Sequence, residues 1–187
     1  MKSAVVLMNL GTPTEPTKKA VRAFLKEFLS DRRVVEVPRV IWMAILYLII
    51  LIFRVPNVTK AYQKIWLDNE SPLRKITRGQ ASKLQQVFNK AYADTENVPQ
   101  AHYAMTYSGP SLASKVEELE QDGFEHILVL PLYPQFSATT TGSIYDQISH
   151  INQQRRNIPQ IHVVKPVSYT HLPSPRDRTR SRMPSSA

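Results

Sequence analysis

Apolar residues along this chain fall into two kinds of run, one continuous and one with helical spacing. A run of the first kind covers residues 4–10, and shorter, less uniform ones cover residues 101–105, 126–130 and 160–164. Short, largely apolar runs bounded by turn residues are typical of buried strands. The second kind carries apolar residues three or four positions apart, at residues 17–29, 72–91, 110–123 and 143–155. That spacing places apolar side chains on one face and predicts four amphipathic helices.

The order of these elements predicts the fold. Strands that alternate with helices are typical of right-handed βαβ units and a parallel sheet. We therefore expect an α/β domain over residues 1–166, built on a parallel four-stranded sheet flanked by helices. Ligands of such sheets bind beyond the carboxyl ends of the strands. The loops at residues 10–13 and 131–142 are predicted to lie at that edge.

The second of these loops has an unusual composition, LPLYPQFSATTTGS over residues 130–143. Prolines flank Tyr133 and Phe136 and stiffen the backbone around the two rings. Hydroxyl side chains then precede a predicted helix at Ser143. They are consistent with an anion site at the helix N-terminus, or with simple capping of that helix. Stiff aromatic rings beside hydroxyl groups suit a flat ligand with polar edges.

A further stretch, Val40 to Phe53, contains fourteen apolar residues between Arg39 and Arg54. As a helix it would span about 21 Å, which is short of a bilayer core of about 30 Å. Three interpretations remain open: a buried core helix, an apolar lip over a pocket (residues 38–54) that also touches a membrane surface, and a membrane anchor.

Composition and motifs exclude several classes of protein. The net charge of +9 suits acidic ligands or an anionic membrane surface, but no nucleic-acid-binding module is recognisable and we expect no nucleic-acid partner. The absence of cysteine excludes disulfides and thiolate metal sites and fits a reducing compartment. The chain has no G-x-G-x-x-G, Walker or G-x-S-x-G motif and no paired-histidine spacing. We therefore expect no tightly bound cofactor.

The end of the chain departs from the pattern that precedes it. From Val167 the periodicity stops, and serine, proline and arginine dominate up to Ala187. Such a composition is typical of a disordered segment. Residues 167–187 are therefore interpreted as a disordered or spurious tail and are left out of the fold prediction.

Several separate segments resemble the ferrochelatases, enzymes that insert Fe²⁺ into protoporphyrin IX to form protohaem. The segments are VVLMNLGTP from Val5, FLKEFLSDRRVVEVPR from Phe24, KAYQKIWLDNESPL from Lys60, and LPLYPQFSATTTGS. The resemblance covers residues 3–166 and is to the bacterial cytoplasmic type. It implies a lyase of haem biosynthesis with two similar α/β domains around a porphyrin cleft, of which this chain supplies the first. Ferrous iron is a substrate of that reaction.

The resemblance also implies site residues. The positions that match porphyrin-contacting positions of the family are Leu10, Arg54, Tyr62, Ser71 and Tyr133. The family's metal-binding histidine and glutamate lie beyond the matching segment, and His171 does not fit their motif. The chain is therefore expected to hold no catalytic or metal-binding residue, to be inactive alone, and to act in the cytoplasm or at the inner membrane surface. The alternative is a non-catalytic α/β module that binds a membrane or a protein partner through residues 40–53.

Overall fold

The computed structural model describes residues 2–155 and 159–165 and contains the expected parallel sheet. Its strands are β1 Ser3–Asn9, β2 Gln100–Met105, β3 His126–Pro131 and β4 Gln160–Val163, in the order β2-β1-β3-β4. All three pairings are parallel, and Val6 lies opposite both His102 and Val129. The α/β fold with a parallel four-stranded sheet is confirmed. All four carboxyl ends therefore meet at one edge.

Helices surround the sheet, and their boundaries follow the capping signals in the sequence. They are α1 Lys18–Ser30, α2 Arg39–Ile45, α3 Leu51–Ile65, α4 Pro72–Ala91, α5 Leu112–Gln121 and α6 Ser143–Gln153. The hydroxyls of Thr17, Ser71 and Ser111 accept hydrogen bonds from the first turns of α1, α4 and α5. The expectation that Pro110 opens a helix is wrong by two residues. Its carbonyl instead accepts a hydrogen bond from Met105 N.

Two apolar clusters form the interior. The first joins the sheet to α5 and α6, and its buried members are Ala4, Val6, Met8, Ala104, Leu112, Val116, Leu119, Phe124, Ile127, Val129, Ile144, Ile148 and Ile151. The second lies where α1 meets the segment Leu46–Val55, and its buried members are Val21, Phe24, Leu25, Leu29, Leu46, Leu51, Val55 and Tyr107. The second cluster includes Tyr107, which follows β2, and so it reaches the carboxyl edge of the sheet.

The apolar stretch Val40–Phe53 belongs to a longer helical segment. Helix α2, a π-helical turn at Leu46–Ile50 and α3 follow one another without a break over Arg39–Ile65, 27 residues, or about 40 Å. By length and composition this segment could cross a membrane. Val40, Leu48 and Phe53 are 84%, 68% and 71% exposed. The interpretation as a buried core helix is therefore wrong.

One face of this segment nevertheless packs against the protein. Leu46, Leu51 and Val55 are buried in the second cluster, and Lys26 Nζ of α1 lies 5.5 Å from the centre of the Tyr47 ring. Residues 38–54 are called the lip below. The predicted tail at 167–187, with His171, lies outside the described residues.

Candidate functional site

The turn after β1 is joined to the end of β2 by main-chain hydrogen bonds. Asn9 O accepts from Thr106 N at 2.8 Å and Leu10 O accepts from Tyr107 N at 2.9 Å. Gly11 has a φ of +106°, and a Cβ at this position would lie 1.9 Å from the Tyr107 carbonyl oxygen. Only glycine permits this approach. The close approach holds Leu10 at the carboxyl edge of the sheet.

Tyr107 is a buried polar side chain at this edge. It is 3% exposed, and its hydroxyl donates to Asp31 Oδ2 at 2.6 Å and lies 3.3 Å from Ser143 Oγ. Asp31 Oδ1 also accepts from Arg33 N at 2.7 Å. Burial raises the pKa of the Tyr107 phenol, and the hydrogen bond to Asp31 raises it further. This network connects the end of β2 with the ends of α1 and α6.

Tyr133, in the loop after β3, is half-buried against the first cluster. Its hydroxyl lies 3.4 Å from Thr106 Oγ1, which donates to Asn9 O at 3.2 Å. Burial raises the pKa of the Tyr133 phenol. Gln147 Nε2 donates to Thr106 O at 2.6 Å. Thr106 therefore connects the ends of β1 and β2 with the loop at residues 131–142 and with α6.

Most of the hydroxyl side chains that precede Ser143 lie in a helical turn, whereas the sequence predicted that the helix begins at Ser143. A π-helical turn at Ala138–Gly142 precedes α6. Ser137 Oγ accepts from Thr139 N at 3.3 Å, and Thr141 and Ser143 are buried. The structure therefore favours the capping interpretation for Ser137. Thr141 and Ser143 pack into the protein, whereas Ser137 and Thr139 stay exposed.

Four of the five predicted site residues gather around this edge. Leu10 and Tyr62 pack against the second cluster, and burial raises the pKa of the Tyr62 phenol. Ser71 is buried, and its hydroxyl lies 2.8 Å from Thr12 Oγ1 in the turn that follows Leu10. Tyr133 reaches the same turn through Thr106 and Asn9. Leu10, Tyr62 and Tyr133 are partly exposed, whereas Ser71 is buried against the turn that follows Leu10.

The structure does not bring Arg54 to the other four. Its side chain is exposed on α3, while the buried stripe of that helix contains Val55 and Thr59. Within residues 2–155 and 159–165, Arg54 forms no ion pair. Its guanidinium is therefore a charge at the border of the lip, and its assignment to a ligand stays a prediction.

Sequence reasoning missed the residues that hold the edge together. Arg33 forms a two-pronged ion pair with Asp146 of α6, with N–O distances of 2.6 and 2.7 Å, and this pair lowers the pKa of the Asp146 carboxyl. Thr106 and Tyr107 were also missed. They directly follow a predicted strand, so the rule that identified the loops after β1 and β3 would have found them.

Replacing Tyr107 by phenylalanine is expected to cost about 1.5–3 kcal/mol at neutral pH, because Asp31 loses a donor to its carboxylate. The raised pKa sets the pH dependence. Above about pH 10 the unfolded chain releases the tyrosine proton before the folded chain does, so this contribution to stability falls with rising pH. Urea unfolding at a series of pH values should show that the unfolding free energies of the variant and the unaltered chain become equal at alkaline pH. A constant difference would contradict the assignment, and Tyr92→Phe, at a tyrosine that is 43% exposed, is the control.

Comparisons with known proteins fit this arrangement. The family model described as ferrochelatase matches residues 2–171. The chain is 47% identical to a ferrochelatase of Janthinobacterium sp. (strain Marseille) over 164 residues, 88% of this chain and 44% of that protein. It is 46% identical to ferrochelatase 2 of Shewanella oneidensis, over 87% of this chain and 49% of that protein. A ferrochelatase of Herminiimonas arsenicoxydans is 48% identical over 88% of this chain and 44% of its own length. The chain thus spans less than half the length of these relatives.

Proposed function

Because the chain belongs to the ferrochelatase family, we propose that it forms the porphyrin-facing N-terminal part of an enzyme that inserts Fe²⁺ into protoporphyrin IX to form protohaem. The observation that carries the proposal is the gathering of Leu10, Tyr62, Ser71 and Tyr133 around the carboxyl edge. Parallel α/β sheets bind ligands at this edge. We place the enzyme in the cytoplasm, at the inner membrane surface, where a hydrophobic porphyrin partitions.

Metal insertion into a porphyrin has three barriers. Two weakly acidic pyrrole N–H groups lose their protons, the nitrogen lone pairs lie in the ring plane, and the iron loses bound water. A cleft that bends the macrocycle turns the lone pairs towards the metal. Strain of about 1–5 kcal/mol is supplied by binding energy elsewhere on the ring. Each 1.36 kcal/mol of transition-state stabilisation changes the rate about tenfold.

The chain's own residues account for holding and bending the ring. Leu10 and Tyr62 offer an aliphatic and an aromatic surface fixed by packing to the second cluster, and Tyr133 offers a ring fixed by the first. Rigid walls transmit strain to a ligand because packed side chains yield little. Ser71 is buried and its hydroxyl contacts Thr12 Oγ1, so it supports this wall by holding the turn that follows Leu10. Arg54 at the lip suits a propionate, which a guanidinium binds through charge-assisted hydrogen bonds.

Proton removal is a separate task from holding the ring. The family resemblance assigns it to a histidine and a glutamate beyond the matching segment, and ferrous iron enters there as a substrate. A base positioned at the pyrrole nitrogens is needed for catalysis at neutral pH. We therefore propose that the chain alone binds porphyrin without inserting iron.

Titration of protoporphyrin IX with the chain, followed by porphyrin absorbance, tests the proposal. Saturable binding is expected, and Arg54→Ala is expected to weaken it about tenfold because a charge-assisted hydrogen bond is lost. Lys64→Ala removes the same charge from an exposed position on α3 and should leave binding unchanged. Circular dichroism verifies that each variant is folded.

The same titration separates the proposal from a second candidate, a non-catalytic module that docks on membranes or proteins through residues 40–53. The exposed apolar side chains of the lip favour that candidate. A folded chain that leaves porphyrin absorbance unchanged, yet binds vesicles, would contradict porphyrin binding and support the docking module.

A further inference from the structure

A groove runs along the outer edge of β2, away from the residues assigned to porphyrin. A cavity of about 690 Å³ has ten lining residues, which include Arg78, Gln85, Ala101, His102, Tyr103 and Lys115. An adjoining cavity of about 490 Å³ shares Arg78 and Tyr103 with it. None of the five predicted site residues lines either cavity. The groove is therefore a second place where a ligand has room.

The open edge of β2 presents one free peptide donor to this groove. Ala101 N donates to Gln85 Oε1 and Met105 N donates to Pro110 O, both at 2.7 Å. Main-chain groups of a strand alternate between its two sides, so Tyr103 N lies on the same outer side. Within residues 2–155 and 159–165 no acceptor for Tyr103 N occurs on that side. On this edge the N–H groups of Ala101 and Met105 are hydrogen-bonded, whereas the N–H group of Tyr103 between them has no acceptor among the described residues.

The larger of the two cavities is lined by cationic side chains and by no acidic ones. Arg78 and Lys115 line the larger cavity, and no aspartate or glutamate is among its ten lining residues. Their acidic partners lie outside this lining: Glu70 lines the adjoining cavity together with Asp68, and Glu118 lines neither cavity. His102 lies on the wall of the cavity. Burial lowers the pKa of the His102 imidazole, and the nearby Lys115 charge lowers it further.

From this arrangement we propose that the β2-edge groove binds a small oxyanion, a carboxylate or phosphate compound, between the Tyr103 N–H group and the side chains of Arg78 and Lys115. Two cations and a main-chain donor are the groups that recognise such anions. Both cations already have a carboxylate partner, so the anion joins an existing ion-pair network. The site is separate from the carboxyl edge and its proposal stands independently of porphyrin binding.

His102 provides a reporter for the test. The charged groups that face it are Lys115, Glu118 and Asp122, and a bound anion would stabilise the imidazolium. The full chain, kept in a non-ionic detergent that covers the lip, is titrated with citrate in one arm and with inorganic phosphate in the other. We expect at least one anion to raise the pKa of His102 saturably, as followed by NMR. The arm that saturates identifies carboxylate or phosphate as the preferred group.

Variants distinguish anion binding in the groove from a general effect of ionic strength on the pKa of His102. Arg78→Gln and Lys115→Gln are each expected to weaken anion binding about tenfold, since each removes a charged donor. Lys115→Arg keeps the charge and should retain binding. Lys83→Gln makes the same charge change on α4 outside the cavity and should have no effect. Absence of saturation with both anions, or equal weakening by Lys83→Gln, would overturn the proposal.

Discussion

The Gly11→Ala variant is expected to lose about 3 kcal/mol or more of unfolding free energy, a large fraction of the stability of an ordinary domain. Two costs combine at this position. A φ of +106° is unfavourable for alanine, and its Cβ would lie 1.9 Å from the Tyr107 carbonyl oxygen. That oxygen is main chain, so no rotation of a side chain relieves the overlap. Urea unfolding monitored by circular dichroism measures the loss.

Gly79→Ala is the matched control in the same chain. Gly79 lies inside α4, has no positive φ, and a Cβ there would meet no atom within 4 Å. Alanine is favoured over glycine in a helix interior by about 1 kcal/mol, so this variant should unfold at a higher urea concentration. Equal midpoints for Gly11→Ala and the unaltered chain would show that the turn after β1 does not require glycine.

Local sequence patterns predicted the architecture because each element carries its own signal. Residues 4–10 and 126–130 read as continuous apolar runs, since these strands are covered by other elements. Thr17 and Ser71 precede two of the helices, and their hydroxyls accept hydrogen bonds from main-chain N–H groups of the first turns. Parallel pairing followed from the alternation of strands and helices. These signals span only a few residues and are visible without the fold.

The contacts that assemble the candidate site could not be predicted in this way. Tyr107 and Asp31 are 76 positions apart in the sequence, and Arg33 and Asp146 are 113 apart. No periodicity connects such residues, and tyrosine or aspartate at these positions suits an exposed loop equally well. Only the packing of α1 and α6 against the carboxyl edge brings them together. The geometry of the site therefore depends on the tertiary fold, whereas the helices and strands are largely determined by local sequence.

The length of the lip helix was underestimated for a similar reason. The apolar window ends at Phe53, and residues 54–65 include charged and polar side chains. Val55, Val58 and Tyr62 nevertheless pack against the second cluster, so the helix continues with an amphipathic pattern. The uniformly apolar part also packs one face on the second cluster through Leu46 and Leu51, so what changes after Phe53 is the exposed face, which becomes polar.

The exposed face of the lip yields the second large expected effect. Leu48→Ser combined with Phe53→Ser should weaken binding of the chain to phosphatidylglycerol vesicles about a hundredfold, because burial of each large apolar side chain contributes about 1.5–3 kcal/mol. Stability in solution should change little, since the two side chains are 68% and 71% exposed. Vesicle flotation over a series of lipid concentrations gives the ratio of affinities, and urea unfolding verifies the fold.

Ile76→Ser combined with Val87→Ser tests whether any loss of apolar surface has the same effect. Both side chains lie on α4 and are 59% exposed, so this double variant removes comparable apolar surface away from the lip. Vesicle binding equal to that of the unaltered chain is expected. If both double variants bound vesicles equally well, the lip would not be the membrane-contacting surface. If both bound weakly, general apolar surface and not the lip would explain the attraction to lipid.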